Sequence, residues 1–498
     1  MGAFLERRVA IGLTLLSLAA PSCGDDSPSG AGGSSSSTVT SAGGGGSGAG
    51  TANGGGDAGS GTGAGGATGG GGSGGAPPVA CGPDDCHYVR AGAQGAADGS
   101  SWTDAWPVLP DGLTPGHVYF VAAGVYPAVT LADAGTANAT IRVLRATDAD
   151  HGSAPDYDPA YGAGTADLGP LTITAPYVEL DGRGSTRIVG AFQGAVATVD
   201  ASNATLAGCD VDGNFTAGGS GNQIDGACTG IEVHGDGVVV RDNVVHDIAD
   251  DGIVAYDSSG ALFEGNRVHA LRGCGTDGGC GPCYNGHSDG FEIFHVTSSQ
   301  FVGNMVWDVA STSAFFFGNW ADELGNGPTD YCKDVLLANN ILYSYDTGFV
   351  AYIEDVDGVA VYDNVFWGQH QGAYGGLSIG TNVTGLSLYN NVILSINYTH
   401  IGGSYDPAEH VGDYNAFGIA LGQWPTQAHD IVAADPGFAG VPDVDGAEVA
   451  SPAPQDFSPA AGSPLRDAGY AGDATVVVPA VDFFGTPRDA TPNIGAIE

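Results

Sequence analysis

The sequence predicts an all-β fold of stacked parallel coils, and two interleaved repeats carry that prediction. The first repeat is six residues long. It consists, in order, of an apolar residue, two variable residues, an asparagine, one variable residue and a second apolar residue. Its asparagines recur about every 23 to 38 residues, so one coil takes about two dozen residues and some coils carry loop insertions. They are Asn243, Asn266, Asn304, Asn340, Asn364 and Asn391, and a further copy has Cys209 in the asparagine position.

The second repeat is a small residue followed by apolar, variable and apolar residues. It begins at residues 230, 252, 290, 314, 348 and 376, between copies of the first repeat, and more weakly at residue 400. Apolar residues at every second position are typical of β-strands with one buried face. Each coil is therefore predicted to hold at least two short strands, and it buries its apolar face only by stacking on its neighbours.

Parallel strands stacked with an inward asparagine at a fixed bend resemble the right-handed parallel β-helix of the pectate-lyase-like superfamily. The resemblance covers about residues 87 to 440 and implies a single solenoid of about 10 to 12 coils. It also implies that the asparagines form a hydrogen-bonded ladder, since buried amides need partners. One fold serves many activities, so the resemblance indicates the fold and leaves the reaction open.

The N-terminal region predicts export. Residues 1–22 hold two arginines and a short apolar run, which is typical of a signal peptide and too short for a membrane span. Cys23 follows where bacterial lipoproteins are lipidated, which predicts a lipid anchor at the cell envelope, with simple secretion as the alternative. Residues 24–80 are almost all Gly, Ser, Ala and Thr, which predicts a disordered tether. The β-helix is expected at 81–440 and a closing tail at 441–498.

Charge and cysteine content narrow the partners and cofactors. The net charge is -43, with 46 Asp and 10 Glu against 13 basic residues, so repulsion from phosphates excludes nucleic acid as a partner. Asp is both a turn residue and a Ca²⁺ ligand, which makes calcium a candidate cofactor. Eight cysteines remain besides Cys23, an even number that allows up to four disulfides in an oxidising compartment. We expect a monomer.

Alternation predicts which side chains of the second repeat leave the barrel. One outward column reads Glu232, Val254, Glu292, Phe316, Val350 and Ser378. The next column reads His234, Tyr256, Phe294, Gly318, Tyr352 and Gly380. The turns before these strands place Asp251 and Asp289 in adjacent coils, about 4.8 Å apart, so their carboxylates are expected to be near neighbours. Insertions at 271–288 and 319–332 flank the same strands and predict a groove.

The most specific candidate site is the segment 286–292, which reads Gly-His-Ser-Asp-Gly-Phe-Glu. Asp289, Glu292 and Asp251 are predicted as catalytic carboxylates, and His287 as a group that moves a proton. Asp251 and Asp289 are also predicted to coordinate Ca²⁺. The alternative is that an Asp-Gly pair before a strand is ordinary turn chemistry.

The resemblance also implies a reaction. In pectate-lyase-type elimination a Ca²⁺ ion bridges to an anionic sugar, and a base, usually Lys or Arg, removes the proton beside the sugar carboxylate. Arg272 is the candidate base, because it and Lys333 are the basic residues of the flanking loops. Residues 250–251 and 286–287 faintly resemble polygalacturonases, but no Arg-Ile-Lys follows them.

Substrate contacts are predicted from outward aromatic and acidic residues. Those beside the candidate site are Glu232, Tyr256, Phe294, Trp320 and Tyr352. A separate stripe, three residues after successive ladder asparagines, holds Trp307, Tyr343 and Trp367 and is expected to form an open platform for pyranose faces. The alternative is that this stripe stabilises the coils by stacking.

The combined hypothesis is a surface-tethered or secreted β-helix protein that binds or cleaves polysaccharide. The preferred activity is that of a lyase or hydrolase of uronic-acid-containing glycan. One alternative is a non-catalytic adhesin or structural surface protein, in which the acids serve turns and the aromatic residues serve packing. A C5-epimerase, whose chemistry is close to that of a lyase, is a third reading.

Overall fold

The computed structural model describes most of the chain after residue 78. The described residues are 79, 82 and 84–498, except 152–155, 192–193, 216–225, 273–287, 310–311, 319–331, 345–348, 369–374, 396–400, 404–405, 419–423, 433–434 and 441–450. The predicted signal peptide, Cys23, the tether, His287 and Trp320 all lie outside the described residues.

Two parallel sheets account for the strands of the described chain. The wide sheet has 22 strands. They are β1 (Cys86–Val89), β2 (Val118–Val121), β3 (Gly124–Val125), β5 (Ile141–Arg145), β6 (Ala166–Leu168), β8 (Val178–Val189), β10 (Thr205–Asp212), β12 (Val239–Arg241), β13 (Val244–Ile248), β15 (Leu262–Glu264), β16 (Arg267–Leu271), β18 (Gln300–Val302), β19 (Met305–Val306), β21 (Cys332–Ala338), β22 (Ile341–Ser344), β24 (Val356–Tyr362), β25 (Val365–Gly368), β27 (Val383–Tyr389), β28 (Val392–Ser395), β30 (His410–Asp413), β31 (Ala416–Phe417) and β32 (Ile431–Val432).

The narrow sheet has 10 strands, which agrees with the predicted number of coils. They are β4 (Val129–Leu131), β7 (Leu171–Ile173), β9 (Ala195–Val199), β11 (Thr229–Val233), β14 (Asp251–Tyr256), β17 (Asp289–Phe294), β20 (Ser313–Gly318), β23 (Phe349–Ile353), β26 (Gly375–Ile379) and β29 (Ile401–Gly403). Short helices span α1 (Asp148–His151), α2 (Pro159–Gly162) and the 3-10 turn Pro454–Phe457. Among the described residues, none of the helices has the length and apolar character that a bilayer crossing requires.

A middle coil shows how the chain winds. β12 and β13 run along two columns of the wide sheet, and β14 then crosses to the narrow sheet. Each strand pairs in parallel with the equivalent strand of the next coil, as with β14 and β17. The predicted fold, a solenoid of stacked parallel strands, is therefore confirmed.

Apolar side chains from both sheets fill the interior. Aromatic rings at equivalent positions stack from coil to coil, as Phe263 does on Phe301 with ring centroids 4.7 Å apart. Cys209 and Cys332 are free thiols buried in this core. Since these two thiols are unpaired, four disulfides do not form, which corrects the upper limit set by the cysteine count.

The predicted asparagine ladder is present at the bend between the two columns of the wide sheet. The Asn304 Oδ1 accepts hydrogen bonds from the backbone N–H of Asn266 at 3.0 Å and from its side-chain amide at 3.0 Å. The Asn304 amide donates to the Phe263 carbonyl at 2.9 Å and to the Asn340 Oδ1 at 3.0 Å. Each buried amide is thus satisfied by the neighbouring coils.

The residue before each ladder asparagine has a left-handed backbone. These residues are Asp242, Gly265, Gly303, Asn339, Asp363 and Asn390, with φ between 56° and 65°. Asp, Asn and Gly adopt this conformation more readily than other residues. Part of the Asp excess in the composition therefore serves the bends.

The ladder extends one coil beyond the prediction. The Asn415 Oδ1 accepts from the Asn391 side-chain amide at 3.0 Å, and the backbone N–H of Asn415 donates to Asp430 at 2.9 Å. The sequence pattern misses Asn415 because Gly412 occupies the apolar position of its repeat.

The C-terminal residues 451–498, here called the C-terminal strap, pack along the outer face of the wide sheet. The Asn339 amide donates to the Val481 carbonyl at 2.9 Å, and the Tyr470 N–H donates to the Asn390 Oδ1 at 2.7 Å. Apolar strap residues form a second core with the sheet. They are Phe457, Leu465, Ile494, Ala496 and Ile497.

Replacing Asn304 with Ala should lower the free energy of unfolding by about 3 to 5 kcal/mol, because it leaves buried donors and acceptors in two neighbouring coils without partners. Urea unfolding measures the change. The exposed Asn138→Ala variant is the control and should change stability by less than about 0.5 kcal/mol. Equal effects of the two variants would mean that the ladder does not hold the coils together.

Candidate functional site

Glycine positions the candidate site on the outer face of the narrow sheet. A Cβ added to Gly290 would lie 2.4 Å from a Val306 methyl carbon and 2.5 Å from the Ala314 carbonyl oxygen, so the missing side chain faces the core. Phe291 also faces the core. Two successive inward positions interrupt strict alternation, which turns Asp289 and Glu292 outward together.

Three carboxylates converge there, and the sequence predicted the proximity of two of them, Asp251 and Asp289. Asp251, Asp289 and Glu292 each offer an oxygen, and these oxygens all lie within 4.8 Å of one another. The three residues are only 8%, 2% and 6% exposed. The backbone N–H of Asp289 donates to the Asp251 Oδ1 at 2.9 Å, and the Ser313 hydroxyl donates to Asp289.

Asp250 adds a fourth carboxyl that the sequence did not single out. It is 7% exposed, and its Oδ1 is buried with no hydrogen-bond partner among the described residues. Its charge acts on Asp251, Asp289 and Glu292. A buried oxygen without a donor is typical of a position completed by an ion or water. Asp250, Asp251, Asp289 and Glu292 are here called the carboxyl cluster.

Burial and mutual repulsion make these acids weak. Burial, followed by the charges of Glu292, Asp250 and Asp289, raises the pKa of Asp251 well above its usual range. Burial raises the pKa of Asp250 to about 7 and the pKa of Asp289 to about 7. Burial, with the neighbouring acids, raises the pKa of Glu292 to about 8. The cluster can therefore ionise fully near neutral pH only with a compensating cation.

The two sheets differ in charge. The narrow-sheet strands in the described part of the chain contain no Lys or Arg. The basic residues of the strands lie in the wide sheet, where they are Arg142, Arg145, Arg183, Arg187, Arg241, Arg267 and Lys333. A cation for the carboxyl cluster must therefore come from solution, from a substrate or from residues outside the described chain.

A stack of aromatic rings runs beside the cluster along successive coils. His234 stacks on Tyr256 with ring centroids 5.1 Å apart, and Tyr256 stacks on Phe294 at 5.4 Å. Phe316 meets Phe294 edge-on at 6.0 Å and stacks on Tyr352 at 5.6 Å. Where neighbouring rings cover each other's faces, the stack presents ring edges outward, so a pyranose meets CH edges and the tyrosine hydroxyls.

The register of β23 differs from the sequence alignment by two residues. Tyr352 pairs with Phe316 and with Ser378, and therefore lies in the Glu292 column. The prediction placed Val350 in that column and was wrong, since Val350 is fully buried. A shift of two residues preserves the inward and outward pattern, so alternation cannot detect it.

The second predicted platform is not open. Trp307, Tyr343 and Trp367 point out of the barrel as predicted, but they are only 8%, 1% and 1% exposed. They belong to the apolar core that the wide sheet shares with the C-terminal strap. The expectation of an accessible sugar platform is corrected, because these rings pack against the chain's own C-terminal segment.

Two further predicted site residues, Arg272 and Glu232, lie outside the carboxyl cluster. Arg272 pairs with Asp308 at 3.1 Å beyond the end of β16, and its charge does not act on the cluster carboxyls. The guanidinium is engaged by Asp308 in this structure, and the role of Arg272 as a base stays a prediction. Glu232 bonds to His234 at 2.8 Å and lies two strands from Glu292 in the same column.

Comparisons with known proteins define the fold class of this chain. The family model for the right handed beta helix region matches residues 181–293 and 229–393. Together with the parallel sheets, this match makes the fold a right-handed parallel β-helix, as the sequence predicted. A search of curated proteins finds no match.

Solved structures with similar folds share little sequence with this chain. Pectate lyase Pel9A is 14% identical, with a TM-score of 0.47, over 83% of this chain and 96% of that chain. The GH136 lacto-N-biosidase from Eubacterium ramulus is 11% identical, with a TM-score of 0.34, over 67% of each chain. The Streptococcus pneumoniae surface protein and adhesin PfbA is 12% identical, with a TM-score of 0.32, over 63% of this chain and 91% of that chain. These likenesses assign no activity.

Without a metal, stability should fall as pH rises between about 4 and 8. Unfolded carboxyls titrate near 4, whereas Asp289 and Glu292 titrate at about 7 and about 8 in the folded chain. Across that window the folded state binds more protons than the unfolded state, so the free energy of unfolding falls with rising pH.

Thermal unfolding in a chelator from pH 5 to 8.5 measures this slope. Glu292→Gln should make the slope shallower, whereas the exposed Glu264→Gln should leave it unchanged. A wild-type slope that is flat or rising would show that the cluster is ionised without any metal.

Proposed function

We propose that this β-helix binds and cleaves a uronic-acid-containing polysaccharide on the outer face of its narrow sheet. The observation that supports the proposal is the carboxyl cluster, which is buried beside a row of aromatic edges on a face whose strands lack basic residues. A structural turn does not need four carboxyls in one place, since each adds desolvation cost and repulsion.

The residues present fit a Ca²⁺ ion. Calcium takes six to eight oxygen ligands, and Asp251, Asp289 and Glu292 supply converging carboxylate oxygens. Asp250 adds the buried oxygen that has no described partner. When bound, the ion would neutralise a substrate carboxylate and make the proton beside it more acidic. It would also remove the repulsion that an anionic sugar meets on this face.

The chain's own groups handle protons and position the sugar. Where Glu292 does not ligate Ca²⁺, burial holds its pKa at about 8, so a neutral Glu292 can donate a proton to a leaving glycosidic oxygen. Tyr256 lies among the acids, and burial with the charge of Glu292 raises the pKa of its hydroxyl, so it remains a hydrogen-bond donor. The ring edges on either side restrict how the sugar lies.

Elimination is the preferred reaction. A base, for which Arg272 stays the candidate, takes the proton next to the sugar carboxylate. The bond to the leaving oxygen breaks, that oxygen takes up a proton from water, and an unsaturated sugar remains. Hydrolysis is a second candidate, favoured by the protonated Glu292, because a general acid with a raised pKa is typical of glycosidases.

The test incubates the protein with acidic and neutral polysaccharides, with Ca²⁺ or with a chelator. Unsaturated-product absorbance and new reducing ends are followed together. Absorbance with reducing ends indicates a lyase, and reducing ends alone indicate a hydrolase. Proton exchange with solvent without cleavage would indicate an epimerase. The absence of a signal in every assay would favour a binding or structural surface protein.

Asp251→Asn should lower the rate at least about 100-fold while the protein stays folded, since it removes a ligand and a charge from the reacting position. Glu264→Gln, an exposed acid of the wide sheet, is the matched control and should keep full activity. Full activity in Asp251→Asn would remove the carboxyl cluster from the mechanism. Loss of thermal stability alone on chelation would reassign the metal to a structural role.

We further propose that Cys23 anchors the protein at the cell envelope, where external glycans are accessible. Cys23→Ser should abolish labelling with a radioactive fatty acid and move the protein from the membrane fraction to the medium. Cell fractionation measures the change, and wild-type protein found only in the medium would contradict the anchor.

A further inference from the structure

Two histidines meet at the start of the solenoid, far in sequence from the carboxyl cluster. His87 lies in β1 and His117 immediately precedes β2, and these strands pair directly. The His87 Nε2 lies 2.8 Å from the His117 Nδ1, and the two ring planes are 19° from parallel, with centroids 5.1 Å apart. In the hydrogen bond between His87 and His117, one ring nitrogen carries the proton and the other accepts it.

The surroundings orient both rings. The Asp85 Oδ1 lies 3.8 Å from the other nitrogen of His117, too far for a hydrogen bond, but a small side-chain movement would form the carboxylate–histidine pair that orients ligands in metal sites. Trp106 and Tyr119 pack against the His87 ring at 5.3 and 5.0 Å.

We propose that His87 and His117 bind a divalent transition-metal ion such as Zn²⁺ or Cu²⁺, with Asp85 orienting His117. Imidazole nitrogens bind Zn²⁺ at about 2.0 to 2.1 Å, so tetrahedral coordination needs the two nitrogens about 3.3 Å apart. A separation of 2.8 Å reaches that value when the rings move apart by about half an ångström and turn so that both lone pairs point at the ion. The side chain of His117 is 24% exposed, so water can complete the coordination.

The ligand chemistry separates this site from the carboxyl cluster. Imidazole suits Zn²⁺ and Cu²⁺, whereas carboxylate oxygens alone suit Ca²⁺. A metal on His87 and His117 would join β1 to β2 and hold the first coil in place. The site would therefore stabilise the end of the solenoid that no further wide-sheet strand covers among the described residues.

A second histidine cluster is a weaker candidate. His246, Asp212 and Asp247 also offer converging ligand atoms. Both ring nitrogens of His246 already lie 2.7 Å from the carboxylates of Asp210 and Asp247. Those contacts hold His246 in its doubly protonated form, which has no lone pair for a metal.

Calorimetric titration of the whole protein with Zn²⁺ tests the proposal. We expect one site with micromolar affinity and a rise in Tm with Zn²⁺ concentration. His87→Gln and His117→Gln should each weaken binding at least tenfold. The matched control is His429→Gln, an exposed histidine that bonds to Asp413 and should leave binding unchanged.

Cu²⁺ gives an independent optical signal. Because Trp106 lies 5.3 Å from His87, bound Cu²⁺ should quench its fluorescence, and Trp106→Phe should remove the quenched component without changing the affinity. Affinity weaker than about 1 mM would overturn the proposal. So would binding that survives both histidine variants or that is lost in His246→Gln instead.

Discussion

The asparagine ladder is the interaction on which the rest of the structure depends. Each ladder amide bonds to the coils before and after it, and the residue before it takes a left-handed backbone. From Asn243 to Asn415 this pairing fixes where each coil bends and therefore fixes the register of both columns of the wide sheet. The narrow sheet inherits that register, so the convergence of Asp251 with Asp289 depends on amides buried on another side of the solenoid.

The local repeat predicted the ladder and the outward acids because both are periodic in sequence. Alternation repeats every two residues, so it could not detect the two-residue shift that places Tyr352 beside Phe316. Gly412 concealed the last ladder residue, Asn415. Asp250 lies outside a strand, and its burial depends on neighbouring coils that no local pattern describes.

The outward stripe shows a different limit. Its position was predicted from alternation, but its exposure depends on the C-terminal strap, which contacts Asn339 from 142 residues away. No spacing in the sequence reports such a contact. The charge difference between the two sheets likewise becomes visible only when each strand has been assigned to the wide or the narrow sheet. Because no basic residue of the described narrow-sheet strands compensates them, burial and mutual repulsion keep the pKa values of the four acids raised.

The C-terminal strap also sets an order of events during synthesis. The coils contact mainly their neighbours, so they can form one after another as the chain lengthens. The wide-sheet face bearing Tyr343 and Trp367 stays uncovered until the strap, which follows every coil in the sequence, packs onto it. That interval leaves apolar surface open to other chains. For this protein, docking of the strap and protection from aggregation are the same step.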